Sequence, residues 1–269
     1  MPAACHELFW TDTHCHLDAA EFAADRDAVQ AAARAAGVRE IWVPAVAVDN
    51  FAAVRDCCLR HAGCRAAYGI HPLYTPAAGP DDLQTLADWL CREQPLAVGE
   101  IGLEGAVPGL DWARQLHFFT AQLELARDAG LPVLLHGRQA MDAVLQAVRR
   151  VFGPKARPGA FHGIAHAFNG SLQQAEQFIA AGFRLGFGGT LTYPGSRRIR
   201  ELACRLPLSA LVLETDAPDI PPCWLRAPDA PSLRNTPAEL PRIAACLAAL
   251  RGIALPDLQQ ALAEFAPLR

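Results

Sequence analysis

The chain has no surplus of positive charge. Its 24 lysine and arginine residues stand against 28 aspartates and glutamates, a formal net charge of −4. That argues against a generic basic nucleic-acid binder but leaves open a nucleic-acid substrate held through metal ions and a few arginines. The nine cysteines, at 5, 15, 57, 58, 64, 91, 204, 223 and 246, form no C-x-x-C pair and no zinc-type spacing. Their odd number, with two adjacent, argues against a disulfide framework. Reduced, mostly buried thiols in a cytoplasmic protein are the expectation. The first residues, His6 and Glu7 among them, lack the basic region and apolar stretch of a signal peptide. No run of about 18 apolar residues offers a membrane span. A Gly-x-Gly-x-x-Gly or phosphate-binding loop after the first strand is missing as well, which argues against a doubly wound dinucleotide-binding sheet. With no linker, repeat or low-complexity tract, residues 1–269 are expected to form one domain, with no membrane partner and compatible with a monomer.

What is present is apolar and periodic. Over half of the 269 residues are hydrophobic, enough for a large core, and a barrel of about 250 residues is an ordinary single-domain solution. Short apolar stretches alternate with amphipathic ones along the whole chain. Strands are expected at 38–46, 65–70, 96–101, 131–135, 159–167, 183–187 and 211–214, after a first strand entered through Leu8-Phe9-Trp10. Helices are expected at 21–36, 50–61, 81–92, 111–129, 140–152, 172–181 and 196–205. A proline-rich loop follows over 218–237, then terminal helices at 237–250 and 256–265. Eight strand–helix units in series imply parallel strands, and closing them gives an α/β fold of the (β/α)8 TIM-barrel type. An open doubly wound sheet is the alternative.

Residues of metal-ligand type recur at one structural position. In Thr11-Asp12-Thr13-His14-Cys15-His16-Leu17-Asp18 an extended backbone turns His14 and His16 to one face and Cys15 to the other. By itself a His-x-His is more often two ordinary histidines than a ligand pair. Glu100, His136, His166 and Asp216 then fall at or near the carboxyl ends of further strands, the face on which barrels build active sites. Taken singly, Glu100 could be a buried carboxylate paired with an arginine and His136 a satisfied core histidine. Six ligand-type residues at one end are hard to explain as filler. His162 shares the strand parity of His166, which is preferred for its position at the strand end. His6, His61 and His117 are assigned to surface or helix faces, and Cys15 to the layer behind the site.

The motifs carry a resemblance. Asp-Thr-His-Cys-His-Leu-Asp at 12–18, Gly-Ile-His-Pro at 69–72 and Gly-Glu-Ile-Gly-Leu at 99–103 resemble the TatD family of metal-dependent hydrolases. So do Leu-Pro-Val-Leu-Leu-His-Gly-Arg at 131–138, His-Ala-Phe-Asn-Gly-Ser at 166–171 and Leu-Glu-Thr-Asp-Ala-Pro at 213–218. The match runs in order from about residue 9 to 250, and 171–176, 188–190 and 216–221 are similar to its YjjV branch. The resemblance implies an amidohydrolase-like barrel with two divalent ions per subunit, Mg, Mn, Zn, Co or Fe, and hydrolysis of DNA phosphodiesters, with trimming of single strands from the 3′ end as one form of it. It implies His14, His16 and Asp216 on one metal, His136 and His166 on the other, and Glu100 bridging. Asp216 would also orient a water and take its proton. Arg138 and Arg234 are candidates to clamp phosphate oxygens, His71 to hydrogen-bond the substrate, and Glu214 to support the ligands from behind. A carboxylic ester or amide hydrolase on the same centre, or a non-catalytic metal-binding module, are the other readings. Exposed aromatics such as Trp224 near the mouth would favour nucleic acid by stacking. The chain departs from the family pattern at Glu104-Gly105, where many relatives have Asp after Gly-Leu, and at its ending, Ala266 to Arg269.

Overall fold

A computed structural model describes residues 9–226 and 233–264. Among the described residues eight strands pair in parallel, each with its neighbour in the sequence, from β1 to β8. They are β1 (Trp10–Asp12), β2 (Val38–Pro44), β3 (Cys64–Tyr68), β4 (Ala97–Glu104), β5 (Val133–Arg138), β6 (Gly163–Ala165), β7 (Phe183–Phe187) and β8 (Leu211–Leu213). Backbone bonds bring the ends together: the Thr13 N–H donates to Leu213 O at 3.1 Å and the Asp216 N–H to His14 O at 2.8 Å. This is the expected (β/α)8 barrel.

Parallel strands need crossovers, and helices supply them. They are α1 (Arg26–Ala35), α2 (Phe51–Arg60), α3 (Asp82–Glu93), α4 (Trp112–Ala129), α5 (Met141–Phe152), α6 (Leu172–Ala180) and α7 (Arg197–Arg205), with α8 (Leu240–Arg251) and α9 (Leu255–Glu264) after β8. Local chemistry sets several of their ends. The Asp111 side chain accepts from Arg114 N to start α4, and Gly130, at φ 66°, stops it. Ser171 and Gln174 close a reciprocal capping box on α6. Each such cap contributes about 1 kcal/mol.

The boundaries differ from expectation where tertiary pairing overrides local pattern. Residues 21–25 do not join α1, and Ala20–Phe22 form a 3₁₀ turn instead. Strand β6 has three residues rather than nine. Strands β4 and β5 each run three residues beyond the expected end, because they pair with each other out to Glu104 and Arg138. The 218–237 loop carries short 3₁₀ turns at Cys223–Leu225 and Pro237–Glu239. Its residues 227–232, together with His6, Cys5 and the 265–269 ending, lie outside the described residues. The eight described cysteines are free thiols, but only Cys15 and Cys57 are fully buried.

Two apolar layers hold the barrel. Outward strand side chains such as Val43, Val98, Val133, Leu135, Leu185 and Leu213 pack under the helices. Inside, Trp42 is ringed by Ala67, Ala97, Leu134, Ile164 and Val212. That single large side chain among smaller ones plugs the barrel and forms a floor. Residues two further along the same strands, such as His136 after Leu134, stand on top of it. No helix among the described residues is long and apolar enough to cross a membrane.

Candidate metal centre

Glu100 is the hub, and β4 has to break its own alternation to present it. Ala97 belongs to the interior plug, so simple alternation would turn a residue three positions on toward the helices. The β4–β5 register shifts between Val98 and Ile101, and Glu100 and Glu104 both face the axis. A Cβ on Gly99 would lie 2.6 Å from the Leu134 Cβ, so only glycine lets β5 pack there.

The two Glu100 carboxylate oxygens sort the histidines into two groups. Oε2 lies 3.2 Å from His14 Nε2 and 3.5 Å from His16 Nε2. Oε1 lies 3.0 Å from His136 Nδ1, 3.0 Å from His166 Nε2 and 3.5 Å from His71 Nε2. Asp216 Oδ1 joins the first group, 3.6 Å from His14 Nε2 and 3.8 Å from His16 Nε2. The structure thus brings together all six ligand candidates and His71. His162 is elsewhere: its Nδ1 faces Ala181 O at 2.9 Å and its ring stacks on Phe152.

The loops that carry these groups are pinned from below. Strand β1 ends at Asp12, so His14 and His16 sit on a loop rather than an extended strand. Cys15, between them, is fully buried and donates its N–H to Trp42 O at 3.0 Å. The buried Asp12 carboxylate accepts from Thr215 N at 2.9 Å and Thr215 Oγ1 at 2.6 Å, fastening the end of β1 to the end of β8. Asn235 Nδ2 donates to Thr215 O at 2.8 Å from the other side. Asp216, next along, is held in the left-handed region at φ 56°, a conformation that costs a non-glycine residue and persists only where its surroundings enforce it.

Two more carboxylates stand behind histidines. Glu104 Oε2 lies 3.3 Å from His136 Nε2 while its Oε1 accepts from Ala106 N. Glu214 Oε1 accepts from Ala167 N at 2.5 Å and lies 3.7 Å from His166 Nδ1. Sequence reasoning missed Asp12, Thr215 and Asn235 as the clasp. Glu104 was visible only as a departure from a family pattern, with no hint that its side chain turns back to His136.

Burial dominates the electrostatics, and opposing charges then redistribute the protons. Burial pushes the His14 imidazole down to about 3 and the Asp216 carboxyl up to about 6. At His16 burial disfavours the charge, but the Glu100 hydrogen bond and the Glu100 and Asp216 carboxylates outweigh it and raise the group to about 9. His166 is driven well above its usual range against burial, by Glu100, Asp216 and Glu214. Glu100, despite burial, is held well below the carboxylate range by the surrounding imidazoles.

This donor set fits divalent cations. Five imidazole nitrogens lie within 3.5 Å of one carboxylate, more than its roughly four lone-pair sites can serve. The His14 and His166 rings stack at 3.9 Å, which suits neutral ligands and penalises two cations. Among the described residues, three sets place ligand atoms within 4.8 Å of one another: His14, His166 and Asp216; His14, His16 and Glu100; His71, Glu100 and His136. Mixed imidazole and carboxylate donors favour zinc, manganese, iron or cobalt over magnesium.

The centre opens into a cleft of about 1440 Å³. Arg138 lines it, its side chain 66% exposed and 3.9 Å from Glu104 Oε2. Arg234 is not brought to the cleft. Its guanidinium forms a bidentate pair with Asp25, at 2.6 and 3.0 Å, and also donates to Glu21 O. Trp224 is also engaged elsewhere, with Nε1 on Glu239 Oε2 at 2.7 Å and the Arg242 guanidinium over its ring. His117 is exposed on α4. His61, expected on the surface or a helix face, follows the last residue of α2 and is buried, with Nε2 3.6 Å from Asp27 Oδ1.

The family model for TatD-related DNase matches residues 11–266. The chain belongs to that family. This TatD-type chain is 37% identical over 253 residues to the uncharacterized metal-dependent hydrolase YjjV of Escherichia coli K12, covering 93% of each chain. It is 34% identical over 245 residues to the 3′-5′ ssDNA/RNA exonuclease TatD of Erwinia billingiae, covering 90% of this chain and 91% of that one. The crystal structure of E. coli YjjV superposes with a TM-score of 0.87 at 36% identity, covering 95% of both chains. A TatD-family hydrolase from Entamoeba histolytica, at 18% identity and a TM-score of 0.83 over 96% of this chain and 97% of that one, shares the fold. The TatD-type chain is accordingly a metal-dependent hydrolase, with histidine, glutamate and aspartate clusters able to bind metal.

Proposed function

We propose that this hydrolase cleaves DNA phosphodiester bonds with two divalent ions, shortening single strands from the 3′ end, in the cytoplasm. The observation that carries the reading is the division of labour at Glu100. One oxygen faces His14 and His16, the other His136 and His166, and Asp216 completes the first group. His14, His16 and Asp216 would hold one ion, His136 and His166 the other, and Glu100 both. When bound, the ions supply Lewis acidity, lower the pKa of water and add positive charge at a phosphate.

The chain's own groups do the rest. The Asp216 carboxylate, partly exposed to the cleft and raised to about 6, is placed to take a proton from the attacking water. His71 Nε2 reaches the same region on the Oε1 side of Glu100, where it can donate to a phosphate oxygen. Arg138, largely exposed at the mouth, neutralises charge on the strand. The name of the Erwinia relative supports the single-strand and 3′ preference, and the free thiols support the compartment.

The test uses metal-stripped protein, a 5′-labelled single-stranded oligonucleotide, and magnesium, manganese, cobalt or zinc added back in turn. A metal-restored ladder shortening from the 3′ end is expected. Asp216→Asn should lose about 10²–10⁴-fold in rate. Stoichiometric metal uptake with no cleavage under any metal overturns the phosphodiesterase reading and turns the search to carboxylic esters and amides.

A further inference from the structure

The cleft above Glu100 has two unlike lips. Among the described residues only six large hydrophobic side chains are exposed, and three of them, Leu73, Tyr74 and Trp112, at 42–46% exposure, line this cleft. Leu73 and Tyr74 lie in the 3₁₀ turn Pro72–Tyr74 after β3, and Trp112 opens α4 after β4. One side chain ties these two loops into a rigid unit. Arg114, two residues after Trp112, donates Nε–H to Thr75 O at 2.6 Å, directly after Tyr74, and Nη2–H to Ala78 O. The Tyr74 ring meets His71 edge-on at 6.3 Å, and His71 touches Glu100. The aromatic lip is therefore fixed and continuous with the metal centre.

The facing lip is polar, with Asn169, Gln174 and Arg198 beside the carboxylates of Asp142 and Asp219. Strands β3 and β7 stand four apart in an eight-stranded ring, so their loops oppose one another across the mouth. On that side Arg198, at the start of α7, donates to Asn169 Oδ1 at 2.6 Å, and Arg138 extends from the end of β5 between the two lips, 3.9 Å from Glu104 Oε2. The cleft, at about 1440 Å³, exceeds the roughly 300–1,000 Å³ of a small-molecule site. Its occupant therefore offers flat apolar faces to the aromatic lip, anionic groups at Arg138 and Arg198, and some length.

We propose that Tyr74 and Trp112 form a stacking platform for the bases of a single-stranded polynucleotide whose backbone runs along Arg138 and Arg198. The proposal rests on the phosphodiesterase reading and adds to it the part of the substrate that is held and the residues that hold it. Base faces are available only in an unpaired strand, so the platform selects single strands over duplex. Stacking reads faces rather than edges, so it tolerates any base.

The experiment measures binding by fluorescence anisotropy, with metal-loaded protein and a labelled, cleavage-resistant phosphorothioate decamer, against the same decamer made abasic. Both strands carry the same charge, so the abasic strand isolates the stacking contribution. Wild type should bind the base-bearing strand about tenfold or more tighter. Tyr74→Ala and Trp112→Ala should each erase most of that preference, and Tyr74→Phe and Trp112→Phe should keep it. Both side chains are exposed, so truncation leaves the core intact. Equal binding of the two strands by wild type, or a preference untouched in both alanine variants, overturns the platform. Hydrolysis of bis(p-nitrophenyl) phosphate, which has no nucleobase, separates the two ideas. If it proceeds while base preference is absent, the platform fails and the phosphodiesterase reading stands. If it fails with every metal while the preference and its loss on mutation are present, the platform stands and that reading falls.

Discussion

Replacing Asp12 tests whether the clasp between the ends of β1 and β8 works as a neutral hydrogen-bonded unit. Asp12, Thr215 and His14 are all essentially without solvent contact. Asp12→Ala leaves the Thr215 N–H and hydroxyl without acceptors, and also removes a longer 3.3 Å bond from the His14 N–H. Two orphaned buried donors at roughly 1–3 kcal/mol each put the loss at about 2–6 kcal/mol. Asp12→Asn should behave differently. Burial pushes the Asp12 carboxyl up to about 8, so near pH 7 the metal-free protein holds it mostly protonated, and an amide of the same shape should cost under about 1 kcal/mol. The pH dependence follows in sign. A folded pKa near 8 lies above the ordinary 3.8, so the native state binds the extra proton. That contribution is complete below about pH 3.8 and is lost as pH rises through 8. Urea unfolding of the metal-stripped proteins, followed by far-UV circular dichroism at pH 6 and pH 8.5, reads all of this. Wild type should gain on Asp12→Asn at the lower pH. If Asp12→Asn is as damaging as Asp12→Ala, or the two-pH comparison runs the other way, the clasp works as a buried charge and the reasoning fails.

Two further predictions concern metal uptake. Glu104→Ala frees His136 Nε2 from the carboxylate 3.3 Å away, and losing such an orienting partner should weaken metal affinity about 10–100-fold in a competitive chelator titration. Glu104→Gln, which keeps an acceptor for Ala106 N, should weaken it less. Metal binding should also release protons. His16, raised to about 9, and His166, well above its usual range, are protonated near pH 7 without metal and must be neutral to ligate. Calorimetric enthalpies in buffers of different ionisation heat should reveal that release, and affinity should fall as pH drops below 9. Heat that is independent of the buffer would count against these two histidines as ligands.

The barrel was legible because its signals are local and repeated: apolar stretches of strand length, amphipathic helices between them, and caps such as Asp111 and Gly130. The ligand candidates were legible for a related reason. A histidine or carboxylate after an apolar strand is held by the chain itself at one rim, so position along the sequence translates into position in space. Readings that depended on what a side chain meets across the fold fared differently. Arg234 looked available for phosphate, but Asp25, 209 residues away in the chain, takes both arms of its guanidinium. Trp224 looked like an exposed aromatic, yet it is half-buried and held by Glu239 and Arg242, while Tyr74 and Trp112 stand open on loops that Arg114 joins through the Thr75 and Ala78 carbonyls.

Glu100 marks the boundary between the two kinds of inference. Its place in β4 follows from pattern, although the strand runs on to Glu104 and leaves it mid-strand rather than near the end, and its direction does not follow. Strict alternation from Ala97 would send it outward into the helices, and only the register shift against β5, allowed by the missing side chain at Gly99, turns it to the axis. The same shift brings Glu104 inward behind His136. A glutamate that reads as a family anomaly and a glutamate that reads as the bridging ligand thus depend on one irregularity in one strand. Any substitution that restores regular pairing there should disturb both together.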